Sequence, residues 1–260
     1  MKIKEIINHL ESLGKWVNWN KSRDFVYYGD VENEIDKIGV CWVVTNHVLK
    51  QAIENNIHFI ISHENMFYET TTIPTRDMML SANKKRQLLK EHSICVYRCH
   101  DVWDRMPEYG IVDSFARDLG LEFEKRPISS FYSYANIDMK LSELALIVKK
   151  SVVQHHQEGI QVIGDLNKVV KRVAIGTGAI TNIFEMREND CDVCVVSDDG
   201  INTWMHIQYS IDNDLPLIIV NHGASEMAGM KKMVHYLKEH FNIDVQYLDE
   251  NIRLHVLWNK

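Results

Sequence analysis

The chain lacks long apolar runs, has little cysteine, shows no positive excess and carries no short-period repeat or low-complexity tract. Each lack removes a class of protein. None of its 260 residues belongs to an uninterrupted apolar stretch of the roughly 18 positions a membrane-spanning helix needs. The N-terminus, MKIKEIINHLESLGKW, does not read as a signal peptide, because Glu5, Asn8, His9 and Glu11 interrupt any apolar centre. Ile3, Ile6, Ile7, Leu10 and Leu13 recur there at helical spacing, and Gly14 can end that helix. The formal net charge is -7 and no basic run exceeds NKKRQ (83–87), which reads as a solvated helix face. Nucleic acid is therefore not the expected partner, and neither is a membrane. Five cysteines suit a reducing compartment, and a cytoplasmic protein is expected. Cys191 and Cys194 form a CxxC. Read as part of a strand, CDVCVVSD sends these two sulfurs to opposite faces, and no second CxxC completes a zinc site.

Apolar content of 45% and charged content of 25% are those of an ordinary globular protein with ample core. The pattern alternates apolar runs with helical periodicity. KIGVCWVV (37–44), IHFIIS (57–62) and SICVYRC (93–99) read as strands, separated by helices over 46–56 and 75–92. IVDSFARDLG (111–120) reads as a helix with Gly120 as its stop. Beyond it, helices are expected over 141–156, 201–214 and 226–241. Strands are expected in GIQVIGD, KRVAIGTG, CDVCVVSD, LPLIIVNH and, last, IDVQYLD. Strands joined through helices favour largely parallel pairing with right-handed crossovers. The expectation is an α/β protein of two similar lobes, residues 1–125 and 126–260, with mixed, largely parallel sheets and a metal cleft between them. RPISSFYSYANIDMK (126–140) reads as the passage between lobes.

Three of the apolar strands end in the same way. IHFIIS runs into His63 and Glu64; SICVYRC runs into His100, with Asp104 four residues on; LPLIIV runs into Asn221 and His222, with Glu226 four residues on. One histidine at a strand end is ordinarily a hydrogen-bonded turn residue. Three, each with a carboxylate one or four residues later, at the ends where open α/β sheets place their ligands, point to a metal site. Three imidazoles and three carboxylates exceed one tetrahedral zinc site and suit two divalent ions sharing the set. Nitrogen and oxygen donors without thiolate fit Zn, Fe, Mn or Co. Asp101 is placed to orient a ligand histidine. His155, His156 and His206 read as helix-end or surface residues, and Met78, Met79, Met227, Met230 and Met233 as packing.

These motifs resemble a known family, the Nif-three-like proteins, many of which carry the description type-two GTP cyclohydrolase I. FIISHEN stands where that family has LIISHHP, CHDVWDRMPEYGIVDSFARDLGL where it has AHTNLDAAPGGVNDALAEALGL, and NHGASE where it has GHYESE. VIGDLNKVVKRVAIGTGA also has a counterpart, so the resemblance spans most of the chain in order. It implies two divalent metal ions per subunit, held by His63, Glu64, His100, Asp104, His222 and Glu226, and a ring-shaped homohexamer. It also implies hydrolysis of a small-molecule substrate, a nucleotide, by metal-activated water. Glu64 departs from the family's second histidine and makes the site harder and more anionic. The family's threonine-glycine-aspartate stretch is here SDDG (197–200), and GTGA (176–179) reads as a tight turn rather than a phosphate cradle. The competing functions are a non-catalytic metal-binding hexameric scaffold or regulatory protein, and an α/β protein with vestigial ligands.

Overall fold

The computed structural model describes residues 1–68 and 73–257. In chain order the elements are α1 (Ile3–Leu13), β1 (Phe25–Tyr28), β2 (Lys37–Cys41), α2 (Asn46–Glu54), β3 (Phe59–Ser62), α3 (Arg76–Glu91), β4 (Cys95–Arg98) and α4 (Asp101–Arg105). Next come α5 (Ile111–Leu119), β5 (Ser133–Lys140), α6 (Leu141–Val153), β6 (Gln161–Ile163) and β7 (Val169–Ile175). The chain closes with α7 (Ile183–Arg187), β8 (Val193–Ser197), α8 (Trp204–Asp212), β9 (Leu217–Val220), α9 (His222–His240) and β10 (Asp244–Tyr247). Among the described residues no helix is long and apolar enough to cross a membrane.

Two compact units emerge: Met1–Met106 with Met230–Asn251, and Pro107–Gly229 with the tail from Ile252. This division differs from the break expected between residues 125 and 126. One reason is that β10 does not join the second sheet but pairs in parallel with β2, Val245 opposite Ile38. Another is that α5 buries Phe115, Ala116 and Leu119 among Leu141, Leu144 and Val148 of α6.

The first unit holds a five-stranded sheet in the order β1-β4-β3-β2-β10. β10, β2, β3 and β4 are parallel and β1 is an antiparallel edge. Every residue of β3 and β4 is buried, as a parallel strand covered on both faces requires. Thr45 and Thr75 cap α2 and α3 by accepting the backbone N–H groups of Val48 and Met78. The basic stretch 83–87 is not wholly a solvated face: Lys85 is 3% exposed and donates to the carbonyls of Val44 and Met66 at 2.7 and 2.8 Å.

The second unit holds the sheet β5-β7-β8-β9-β6, with β7, β8 and β9 parallel and both edges antiparallel. Residues 133–140, read from the sequence as part of an interlobe passage, are strand β5. Their alternating burial is that of an edge strand with one face covered, a pattern that the polar side chains of NIDMK obscure. Gly120 ends α5 at φ +67°, the left-handed conformation expected of a stop. Met227, Met230 and Met233 are buried packing residues, whereas Met79 is 52% exposed and fills no gap.

Candidate metal centre

In the first unit, β3 and β4 are neighbours in parallel register, Ser62 opposite Arg98, so the residues just past them leave the sheet side by side. Beyond β3 the chain turns, and the N–H groups of His63 and Glu64 both donate to the Trp42 carbonyl just past β2, at 3.0 and 2.7 Å. Beyond β4, Cys99 donates to the Ser62 carbonyl and His100 becomes the residue that opens α4. Asp104 lies one helical turn on, its N–H bonded to the His100 carbonyl at 2.8 Å. The two imidazoles stack nearly parallel, with centroids 4.2 Å apart. One donor atom from each of His63, His100 and Asp104 falls within 4.8 Å of the others.

The nitrogens are differentiated. His63 Nδ1 lies 3.2 Å from the Cys99 carbonyl; a carbonyl only accepts, so Nδ1 is the donor of this hydrogen bond. Nε2 faces Asp104 Oδ1 at 3.3 Å. His100 Nδ1 lies 3.1 Å from Asp101 Oδ1 and from Asp104 Oδ2, and its Nε2 faces Glu64 Oε1 at 3.4 Å. Asp101 thus stands where the sequence placed it, beside the ring of a candidate ligand.

A second set of contacts holds these side chains still. Arg98 donates to the His63 carbonyl at 2.9 Å and to Glu64 Oε2 at 3.0 Å. Glu64 therefore spends one oxygen on a guanidinium and turns the other to His100. Asp24, 8% exposed, accepts the N–H groups of His100, Asp101 and Val102 at 2.8, 2.9 and 3.4 Å. Arg23 binds Asp101 through both its backbone N–H and its Nε. Reading the sequence did not find Asp24, Arg23 or Arg98. Asp24 and Arg23 carry no local signal, being some 76 residues from the loop they clamp. Arg98 had one: a charged residue closing a fully buried strand.

The charges respond to one another. Burial pushes Asp104 and Glu64 up, but the imidazoles of His100 and His63, and Arg98 for Glu64, outweigh it and hold both well below the usual carboxylate range. Burial opposes protonation of His100, but Asp104, Asp101 and Glu64 hold it well above the usual imidazole range. Asp101 is lowered to about 2: burial acts against this, and the His100 and Arg23 contacts prevail. Three carboxylates converge here against two guanidiniums, with imidazole nitrogens between. His63, His100 and Asp104 bring nitrogen and oxygen donors close enough together to hold a metal ion.

The second unit presents His222 as the first residue of α9, just after β9, and Glu226 one helical turn on. Four residues apart they share one helix face, and His222 Nε2 lies 3.1 Å from Glu226 Oε2. His222 Nδ1 lies 2.8 Å from Asp199 Oδ2, and the His222 N–H donates to Asp198 Oδ1 at 2.9 Å. Both aspartates belong to the SDDG segment after β8, so that departure from the family pattern supplies partners for His222. The rule that flagged the histidines, a polar cluster at the carboxyl end of a strand, would have flagged this pair as well. Gly178, at φ +62°, lies against the pair: a β-carbon there would overlap the Glu226 carboxylate and come within 3.0 Å of His222 Nε2. GTGA is thus a close-approach turn, not a phosphate cradle; the Gly178 carbonyl accepts from Thr181 Oγ1 and Ser197 Oγ, and its N–H donates to Ser225 Oγ.

The remaining histidines stay outside these clusters. His155 pairs with Asp118 of α5 at 3.0 Å, and His206 bonds Thr203 at the start of its own helix. Cys191 and Cys194 correct the sequence reading: their sulfurs are 3.5 Å apart, not on opposite faces. Strand β8 begins only at Val193, so Cys191 lies in the preceding turn, where alternation does not apply.

A sheet-and-helix protein with histidine–carboxylate clusters at strand ends is the class these features define. The chain belongs to the Duf34/NIF3 (NGG1p interacting factor 3) family, whose profile matches residues 1–252. It is 25% identical over 260 residues to a protein of Clostridium perfringens named GTP cyclohydrolase 1 type 2 homolog, with 95% of each chain covered. It is 24% identical over 264 residues to one of the same name from Methanocaldococcus jannaschii, covering 96% of this chain and all of that one (100%). Among solved structures, a Bacillus cereus protein related to NIF3 superposes with a TM-score of 0.82 at 14% identity, over 99% of both chains. Reduced HcgD from Methanocaldococcus jannaschii does so with 0.75 at 21%, over 96% of this chain and 98% of that one.

Proposed function

We propose that the protein binds two divalent metal ions through His63, Glu64, His100 and Asp104 together with His222 and Glu226, and that it is a metal-dependent hydrolase acting on a nucleotide, assembled as a homohexamer. One observation carries the reading: all three strand-end histidines have Nδ1 engaged by an oxygen (Cys99, Asp101, Asp199) and Nε2 facing a carboxylate (Asp104, Glu64, Glu226). Metal-ligating histidines are oriented in this way, with the outer nitrogen bonded to a carbonyl or carboxylate. Zn, Fe, Mn and Co all suit such donors.

Divalent ions in such a site supply Lewis acidity and, near neutral pH, an activated water nucleophile. The protein's part is to hold the donors. Asp24 and Arg23 fix the His100 loop, Arg98 fixes the His63–Glu64 turn, and Asp198 with Asp199 fixes His222. With Arg98 on Oε2, Glu64 offers a single oxygen where the family resemblance leads one to expect an imidazole.

The relatives' name suggests a purine nucleotide as substrate. A cavity of about 320 Å³ in the second unit supports a flat ring: Ile201, Trp204, Ile207 and Ile219 line it, with Asp198 at its edge, and Trp204 is 70% exposed. An accessible indole is a stacking surface for a base.

The test combines elemental analysis with turnover. Purified protein should carry metal near two equivalents per chain, lose most of it in His222→Ala, and hydrolyse a member of a nucleotide and phosphoester panel; Trp204→Ala should raise KM. Metal in full measure without turnover would favour the scaffold or regulatory role. No metal above background would end the metal reading, and sedimentation tests the hexamer separately.

A further inference from the structure

Cys191 and Cys194 are buried, free and 3.5 Å apart, sulfur to sulfur. We infer that they form a reversible dithiol–disulfide couple, oxidised by small-molecule disulfides, in the turn that leads into β8. A disulfide bond is about 2.05 Å long, so closure asks the sulfurs to approach by about 1.5 Å. The turn can supply this movement. Cys191 comes after three exposed residues, Glu188, Asn189 and Asp190, and Asp190 already sits at φ +56°. Cys194 is anchored in the sheet, its N–H bonded to the Pro216 carbonyl at 3.0 Å. One sulfur is held on a rigid strand and the other on a short exposed-sided turn.

The surroundings give the two thiols different roles. The hydrogen bond from Cys194 holds Cys191 below the usual thiol range; the Arg187 guanidinium assists and burial opposes. The same hydrogen bond, with burial, pushes Cys194 well above it. Cys191, beside the exposed residues 188–190, is the attacking thiol once it gives up its hydrogen bond to the Met186 carbonyl at 3.3 Å, and Cys194, held in the sheet, is the resolving thiol. Metal binding is not the better reading, because no third histidine, cysteine or carboxylate of the described residues completes a ligand set with this pair.

The exchange balances. The Cys191 thiolate attacks one sulfur of a disulfide R–S–S–R, forming a mixed disulfide and expelling R–S⁻. Cys194 loses its proton to the expelled thiolate and attacks the Cys191 sulfur, expelling a second R–S⁻ that is protonated from solvent. The two cysteines lose two electrons and R–S–S–R becomes two R–SH.

The whole protein is equilibrated in glutathione buffers of graded oxidised-to-reduced ratio, quenched in acid, unfolded, alkylated and weighed. Two of the five thiols should disappear together along one titration curve. A protease that cleaves before Asp192 should then yield two peptides joined through Cys191 and Cys194. Cys41, Cys95 and Cys99, buried in the other unit, should stay reduced. Cys194→Ser should accumulate a glutathione adduct at Cys191, and Cys191→Ser should leave Cys194 unreacted. Five alkylatable thiols in wild-type protein at the most oxidising ratio would overturn the inference. So would a stable adduct on wild-type Cys191, or loss of thiols at Cys41, Cys95 or Cys99 in place of the pair. The wild-type measurements decide the matter even where a variant does not fold.

Discussion

The α-carbon of Gly178 abuts the carboxylate of Glu226, leaving no room for a β-carbon. Gly178→Ala must adopt a left-handed conformation, costing roughly 1–2 kcal/mol, and must push Glu226 or the turn aside. We expect a lower Tm and metal content reduced toward that of Glu226→Ala. Unfolding curves and elemental analysis of the two variants side by side check this; normal metal in Gly178→Ala would show that the Glu226 carboxylate is free to move.

Asp24 is a buried carboxylate that accepts three consecutive backbone N–H groups as well as the Ser22 hydroxyl. Asp24→Ala strands them, at a cost of about 1–3 kcal/mol for the unsatisfied groups. Denaturant unfolding should show that loss, and the His100 loop should exchange its amide hydrogens faster. Unchanged protection at residues 100–102 would mean another group takes over the clamp.

His222 Nδ1 rests on Asp199, a half-exposed carboxylate. Asp199→Ala should leave the fold intact and lower metal affinity roughly 10–100-fold, the usual effect of removing an outer partner of a ligand histidine. Asp101→Ala should do the same through His100. Competition with a chromophoric zinc chelator measures both, and equal affinity in variant and wild type would count against the metal reading.

Lys85 is buried between two carbonyls, and burial lowers it from its ordinary 10.5 to about 8. Between these values the unfolded chain holds the proton more firmly than the folded one, so stability gained from this group rises with pH. Wild type should therefore gain on Lys85→Met as pH climbs from about 8 to 10.5. Urea unfolding at three pH values across the window tests the sign; a constant difference would place the lysine's charge in solvent.

Much of the fold was legible because burial writes itself into local pattern. The continuous apolar runs of β3, β4 and β9 and the spaced apolar positions of α1 and α5 marked those elements within a residue or two. Two strands escaped. β1 is four residues with two exposed, and β5 mixes polar and apolar side chains at a sheet edge. Lys85 escaped too, since nothing local distinguishes the one lysine of a basic run that turns inward.

The sequence by itself determined where the histidines and carboxylates stand: a strand must end, and the residues past its carboxyl end face the region where such sheets hold ligands. Only the tertiary structure decided what those side chains touch. β10 crosses the chain to join β2, Asp24 reaches the His100 loop, Arg98 takes half of Glu64, and Cys191 meets Cys194 where a turn replaces a strand. The reason is physical: periodicity reports which face of an element is buried, a property of neighbours in sequence, whereas a partner is whichever group packing brings within about 3 Å, however distant along the chain.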